Sequence, residues 1–336
     1  MFFCKFAAAN DKNMEKQDDL TLMKARSYRR VLAAGFRLYT ENFRRLFKAS
    51  WQMVLIYAVS CGALGTLSSI KIPEMTTMMM QQMMFTQTLS WELVQQYLLT
   101  ALELFGLVLL AIATMSLASA TLLNKLSEHK ATGTISMPAH WLSATPRLMG
   151  RTMKGVFLTL LVLIIPLMGF LALMALADHL SPQFVMRHIT TVLVTFCICT
   201  LIVMMLALPL TNVLMKYIME APCGYWRTLS RYYGRSLRHW GLMFLVYFVS
   251  MLLVLLASLM VMMPSSILSF ANQQAHGGLL IGDPLGMPSY IMPLTFVTCM
   301  LCSFIDFYIN QVTLVHNYYL YGSIETKEGC KMRNEK

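Results

Sequence analysis

The residue of this chain with the most unusual position is an aspartate inside an apolar segment. Asp306 lies within the apolar run from Ile291 to Val312, and Asn310 follows it by one helical turn. A carboxylate near the middle of a bilayer costs about 2.5 to 3.5 kcal/mol on insertion scales, so it should face a helix bundle or water. Two interpretations follow. The residue is a proton or cation site, or it is a carboxylate that pairs with an interfacial arginine or a hydroxyl group.

Two further asparagines lie at corresponding positions of other apolar segments. Asn124 and Asn212, like Asn310, each stand near the inner end of an even-numbered segment. The three side chains could form a polar ring in a bundle. A lone asparagine near a helix end more often caps the helix or hydrogen-bonds to a neighbouring one.

A methionine-rich stretch from Met75 to Met84 raises the question of a copper site, because thioethers are soft ligands that suit Cu(I). The chain has 30 methionines in all, so composition alone explains a local run. The 8 cysteines are scattered and fall mostly inside apolar segments, which disfavours a disulfide framework. We therefore predict no metal and no cofactor.

Motifs of known catalytic sites are represented by one short match only. Ser127-x-x-Lys130 fits an acyl-enzyme pattern in four letters, but the motifs that accompany it are missing from the sequence. The sequence also contains no phosphate-binding loop, zinc-protease motif or nucleophile elbow. It therefore predicts a protein that is not an enzyme.

Basic residues cluster immediately before the apolar segments. Anionic lipid attracts such residues with about 1 kcal/mol each. Membrane phosphate therefore accounts for the net charge of +11 without a nucleic-acid partner. The residues that we predict to bind lipid are Arg37, Arg44, Arg45, Lys48, Arg151, Lys154, Arg227, Arg231, Arg235 and Arg238.

The overall composition is that of a membrane protein. Hydrophobic residues make up 57% of the 336 positions and charged residues 13%. The apolar runs are continuous over about 20 residues, which suits helices that cross a bilayer and not the short alternating strands of a barrel. We predict an all-α polytopic fold with six transmembrane helices.

These six helices are predicted to form three tandem units, at about residues 28–125, 138–216 and 224–317. Each unit consists of an amphipathic interfacial helix and a helical hairpin. The first interfacial helix should lie flat on the membrane surface. In the third, Trp226, Tyr233 and Leu237 stand opposite the arginine stripe at the helical period. A cytoplasmic segment, residues 1–27, precedes the units, and a polar, basic and mobile tail, residues 318–336, follows them.

The connections and the charge distribution predict the orientation. We expect three outer connections: a loop at residues 71–90, which includes the methionine run, a turn at residues 178–188, and a loop at residues 264–290, which is rich in glycine and proline. Of 27 lysines and arginines, only Lys71 and Arg187 fall in the three loops placed outside, which leaves 27 − 2 = 25 on the other side. The excess of positive charge inside predicts that both termini are cytoplasmic.

Three stretches of the chain resemble a known family. They are AGFRLYTENFRRLFKASW before the first segment, GYWRTLSRYYGRSLRHWG before the fifth and HNYYLYGSIETKEG after the sixth. In these stretches the chain resembles the six-helix bacterial membrane family that includes the membrane domain of some glycerophosphodiester phosphodiesterases and several uncharacterised inner-membrane proteins. The resemblance implies this fold and the bacterial inner membrane. No phosphodiesterase barrel accompanies it, so no catalytic residues can be transferred.

Two functions are compatible with this sequence. The first is a non-enzymatic scaffold or envelope-homeostasis factor that binds anionic phospholipid, with a second copy or another membrane protein as a further partner. The second is a transporter or channel with a polar path around Asp306 and Asn310. A lipid enzyme ranks below both, because the sequence shows no cluster of polar residues for it.

Overall fold

A computed structural model describes residues 21–85, 91–137, 145–180, 189–220, 224–281 and 288–334. Within these ranges the chain is all-α, with seven helices and no strand. All but the fifth helix are long and apolar enough to cross a membrane, which confirms the predicted fold class. The helices are α1 (Tyr28–Phe85), α2 (Trp91–Thr132), α3 (Pro146–Leu180), α4 (Ile189–Met219), α5 (Tyr225–Arg238), α6 (Trp240–Ile281) and α7 (Ile291–Asn334).

The first helix is much longer than a membrane is thick. It contains 58 residues, about 87 Å at 1.5 Å per residue, whereas a hydrocarbon core is about 30 Å thick. The predicted first interfacial helix and the first span are therefore one continuous helix, and the flat position expected for the former is wrong. The reason is that its apolar residues Val31, Leu38 and Leu46 are buried in the protein core.

The other two units differ from each other. The second predicted interfacial segment begins in residues 138–144, which lie outside the described residues, and from Pro146 it is continuous with the third span. In the third unit, α5 is a separate amphipathic helix that ends at Arg238. At the next residue, His239, the backbone leaves helical geometry before α6 begins. Among the described residues, a separate interfacial helix is therefore seen in the third unit only.

Both predicted loops are largely helical. Helix α1 continues through Pro73 and the methionine run to Phe85, and α6 continues through Pro264 to Ile281. A proline lacks the N–H that would bond to the carbonyl four residues earlier. At Pro73 that carbonyl belongs to Ser69, and the side-chain amide of Asn272 on α6 donates to it instead. A partner on another helix thus lets α1 pass the proline.

The first part of the predicted tail, residues 318–324, belongs to the protein core. Helix α7 runs without a break across the expected boundary at residue 318, and Tyr318, Tyr319 and Tyr321 are 0% exposed. The Arg26 backbone N–H donates to Ser323 Oγ at 2.9 Å, and a Cβ atom at Gly322 would lie 2.5 Å from the Leu22 carbonyl. The prediction of a mobile tail is therefore wrong. The described part of the N-terminal segment, residues 21–27, packs on this half of α7.

Candidate functional site

The intramembrane aspartate lies where α6 and α7 pack together. The Ser258 hydroxyl on α6 donates to one oxygen of Asp306, and Asn310 Nδ2 donates to the other at 2.8 Å. Within the described residues, no basic side chain forms an ion pair with this carboxylate. Its hydrogen-bond partners among the described residues are thus a hydroxyl and an amide.

A cavity of about 320 Å³ continues from Asn310 along α7. Residues of α2, α3, α4, α6 and α7 line it, so it lies in the interior of the bundle. Three buried oxygens of α7 that line it have no hydrogen-bond partner among the described residues: Gln311 Oε1, Thr313 Oγ1 and Asn317 Oδ1. A buried polar atom without a partner costs about 1–3 kcal/mol. The cavity is therefore suited to water or to a small solute that donates hydrogen bonds.

A polar ring of three asparagines is one of two alternatives. Two of these side chains bond to other residues instead. Asn212 Nδ2 donates to Ser236 Oγ on α5 at 2.8 Å, and Asn310 bonds to Asp306 on its own helix. Asn124 lies on α2 and does not line the cavity. Asn212 thus fastens the interfacial helix to α4, while Asn310 connects Asp306 to the cavity.

A second polar cluster, which the sequence did not predict, lies where the ends of α2 and α4 meet the second half of α7. We call it the basal network and define it as Lys130, Lys216, Glu220, Tyr321 and Glu325. Lys216 is 4% exposed, and its Nζ lies 2.6 Å from Glu325 Oε1 and 3.6 Å from Glu220 Oε2. The Tyr321 hydroxyl donates to Glu220 and accepts from Lys130 Nζ at 3.3 Å. A buried ammonium needs such partners, so the network joins α2, α4 and α7.

Some of the predicted lipid-binding residues have structural partners instead. Arg151 donates to the carbonyls of Tyr217 and Glu220, the latter at 2.7 Å, and so satisfies the end of α4. Arg45 donates to the Ile135 carbonyl at 2.7 Å. Arg37 forms an ion pair with a glutamate of its own helix at 3.0 Å. For these three, contacts within the protein exist beside the lipid contact that stays a prediction.

The remaining basic residues of the prediction are oriented outward. Arg235 is half-buried, with its guanidinium 5.2 Å from the centre of the Tyr232 ring. The side chains of the others are exposed and form no hydrogen bond or ion pair with any described residue. They are Arg44, Lys48, Lys154, Arg227, Arg231 and Arg238.

Helix α5 has three distinct faces. Tyr225, Thr228 and Ser236 are buried against the protein. At 100° per residue, Trp226 and Leu237 share a second face, on which they are 57% and 44% exposed. The arginines at positions 227, 231 and 238 share the third face, on the other side of the buried one. A helix that contacts protein, hydrocarbon and phosphate at once requires this division.

The position of α5 is fixed by polar contacts with neighbouring helices. The Tyr225 hydroxyl and Thr159 Oγ1 on α3 are 2.8 Å apart. Burial raises the pKa of Tyr225, so the phenol stays neutral. At the other end, His239 Nε2 lies 2.9 Å from Glu328 Oε1 on α7. The arginine face is thus held rigidly on the bundle.

In the part of the chain that the structure describes, the fold is all-α with six helices able to cross a membrane. Its two candidate sites are the polar side chains of α7 from Asp306 to Asn317 and the exposed arginine face of α5. Comparison with protein-family models, with curated proteins and with solved structures finds no match for this chain.

Proposed function

We propose that this chain is a multi-pass protein of the bacterial inner membrane that binds anionic phospholipid and acts as a non-enzymatic scaffold or envelope-homeostasis factor. The observation that carries the proposal is the three-faced α5. Its exposed Trp226 and Leu237 suit the hydrocarbon boundary, and its exposed arginines, whose side chains have no partner among the described residues, suit lipid phosphate. Both termini are then cytoplasmic, because the arginine face must meet the anionic leaflet.

The three-unit organisation belongs to the same proposal. Consecutive spans contact each other, α1 with α2, α3 with α4 and α6 with α7, but the most extensive packing joins α1 to α7, and α3 contacts α2 as extensively as α4. The internal repeat therefore stays a prediction of the sequence. The resemblance to the membrane domain of glycerophosphodiester phosphodiesterases stays a prediction of the sequence.

Neutralising the arginine face of α5 is expected to weaken lipid binding. Three phosphate contacts of about 1 kcal/mol each correspond to a loss of roughly 100-fold. The variant carries Arg227→Gln, Arg231→Gln and Arg238→Gln, and phosphatidylglycerol binding to the purified protein is titrated by native mass spectrometry. The matched control replaces the same residues by lysine, which keeps the charge and should retain most of the affinity. Equal affinity of the glutamine variant and the wild type would refute the proposal.

A second function, transport of a cation or proton, is favoured by a separate observation. Asp306 pairs with no basic side chain among the described residues, and Asn310 connects it to a cavity where three buried oxygens of α7 have no hydrogen-bond partner among those residues. Together they form a polar column over several turns of α7. An intramembrane carboxylate beside a hydrated cavity is typical of ion pathways.

If the column conducts, Asp306→Asn should lower the flux of protons or K⁺ into liposomes at least about tenfold, because the negative charge attracts the cation. The asparagine can keep the hydrogen bonds to Ser258 and Asn310, so folding is preserved. Ser258→Ala is the control, since it removes one hydrogen bond and leaves the charge. Identical flux in Asp306→Asn and wild type removes the residue from the pathway, and no flux in the wild type rejects this second function.

A further inference from the structure

A groove with aromatic walls lies between α1, α6 and α7. Its volume is about 470 Å³, within the range of about 300–1,000 Å³ that is usual for small-molecule sites. The lining is almost entirely apolar. Among the lining residues are Phe43 and Phe47 of α1, Val254 and Ala257 of α6, and Phe304 and Tyr308 of α7.

The aromatic wall is rigid. The Tyr308 ring lies 5.2 Å from the Phe47 ring and 5.9 Å from the Phe43 ring, between ring centres. Its hydroxyl is 3.2 Å from Ser50 Oγ, and its carbonyl accepts from the Tyr39 hydroxyl at 2.7 Å. The polar atoms of Tyr308 are thus satisfied within the protein, and only its apolar ring surface faces the groove. Such a preformed site loses little entropy when a ligand binds.

A basic edge borders the groove on the same helix. Arg44 and Lys48 follow Phe43 and Phe47 in sequence, so each is turned about 100° from its aromatic neighbour. The two cations are one turn apart, exposed and without a partner among the described residues. The nearby carboxylate of Glu41 bonds to Arg37 at 3.0 Å and does not neutralise them.

We propose that the groove holds an acyl chain of one anionic phospholipid and that Arg44 and Lys48 bind its phosphate. This inference rests on the proposed lipid-binding function and adds a defined site to it. Apolar surface and two cations within one turn match an amphiphile whose phosphate is joined to its chains. A second copy of this chain fits less well, because its net charge is also +11.

Trp51 supplies a reporter for this site. It follows Lys48 by three residues and Phe47 by four, so it lies on the same side of α1, and it is exposed. With Trp91, Trp141, Trp226 and Trp240 replaced by phenylalanine, its fluorescence reports on lipid near the groove. The full chain is reconstituted in bilayers that contain brominated phosphatidylglycerol or brominated phosphatidylcholine as quencher.

We expect phosphatidylglycerol to quench Trp51 at a mole fraction about 30-fold lower than phosphatidylcholine, because each of the two cations attracts a net negative headgroup by about 1 kcal/mol. In phosphatidylcholine the choline ammonium offsets the charge of the phosphate. The double variant Arg44→Gln, Lys48→Gln should lose this preference. The control Arg29→Gln, Arg30→Gln removes two exposed arginines of the same helix and should keep it. Ala257→Phe fills the groove without changing a charge and should also abolish the preference.

The outcomes separate this site from the arginine face of α5. A preference at Trp51 that survives neutralisation of the α5 arginines supports the groove even if the face itself binds nothing. Equal quenching by both lipids in the wild type overturns the groove site, whatever α5 does. A preference lost in the Arg44 and Lys48 variant but kept in Ala257→Phe overturns the placement of the acyl chain.

Discussion

Removal of residues 318–336 is expected to yield a chain that does not fold. The segment includes Tyr318, Tyr319 and Tyr321, which are among the largest fully buried side chains of the described residues. Losing one buried aromatic side chain costs about 3–5 kcal/mol, and a typical stability is about 5–15 kcal/mol. Size-exclusion chromatography in mild detergent measures the yield of monodisperse protein.

The matched control for this truncation ends the chain after Cys330. Gly329 and Cys330 are the last residues whose side chains are described, and both are exposed, so the shorter deletion keeps every side chain that is described as buried. At the level of single residues, Tyr319→Ala should lower the unfolding midpoint by about 10 °C, whereas Tyr290→Ala, at an exposed tyrosine, should leave it nearly unchanged. A monodisperse chain of residues 1–317 would restore the mobile tail that the sequence predicted.

The contrast between the six spans and this tail shows what a sequence pattern can report. A run of about 20 apolar residues predicts a span directly, because bilayer thickness and hydropathy decide it. The stretch after Asn317 mixes tyrosines with charged residues, and its average polarity resembles that of a tail. Its burial depends on Leu22, Gly322 and other residues distant in sequence. Hydropathy contains no information on such tertiary contacts.

The polar residues follow the same division. Asp306 could be found because a charge inside an apolar run is unusual in itself. Its partner Ser258 lies on another helix, and so does Asn272, which donates to the Ser69 carbonyl. Neither contact leaves a pattern in the local sequence. The basal network was missed because Lys216 stands at the end of a span, where a lysine is expected to meet lipid phosphate. Its burial is known only from the packing of α4 on α7.

Lys216→Met is expected to destabilise the protein by about 3 kcal/mol, the lower end for breaking a buried ion pair, because Glu325 is partly exposed. The change leaves Glu325 and Glu220 without the cation that they share. A second change, Glu325→Met, should recover much of this loss, since a well-packed apolar pair can replace a buried ion pair. Unfolding in denaturant, measured over the full double-mutant cycle, gives the coupling between the two residues.

The control for this cycle is Lys154→Met, at an exposed lysine without a partner among the described residues, where a change within about 0.5 kcal/mol is expected. Because both substitutions remove one lysine, the difference between them isolates the contribution of the basal network from any loss of lipid attraction. Equal stability of the two variants would mean that Lys216 is held by the membrane and not by Glu325. A large difference that Glu325→Met reverses would assign to the second half of α7 the role of joining α2 and α4 to the bundle.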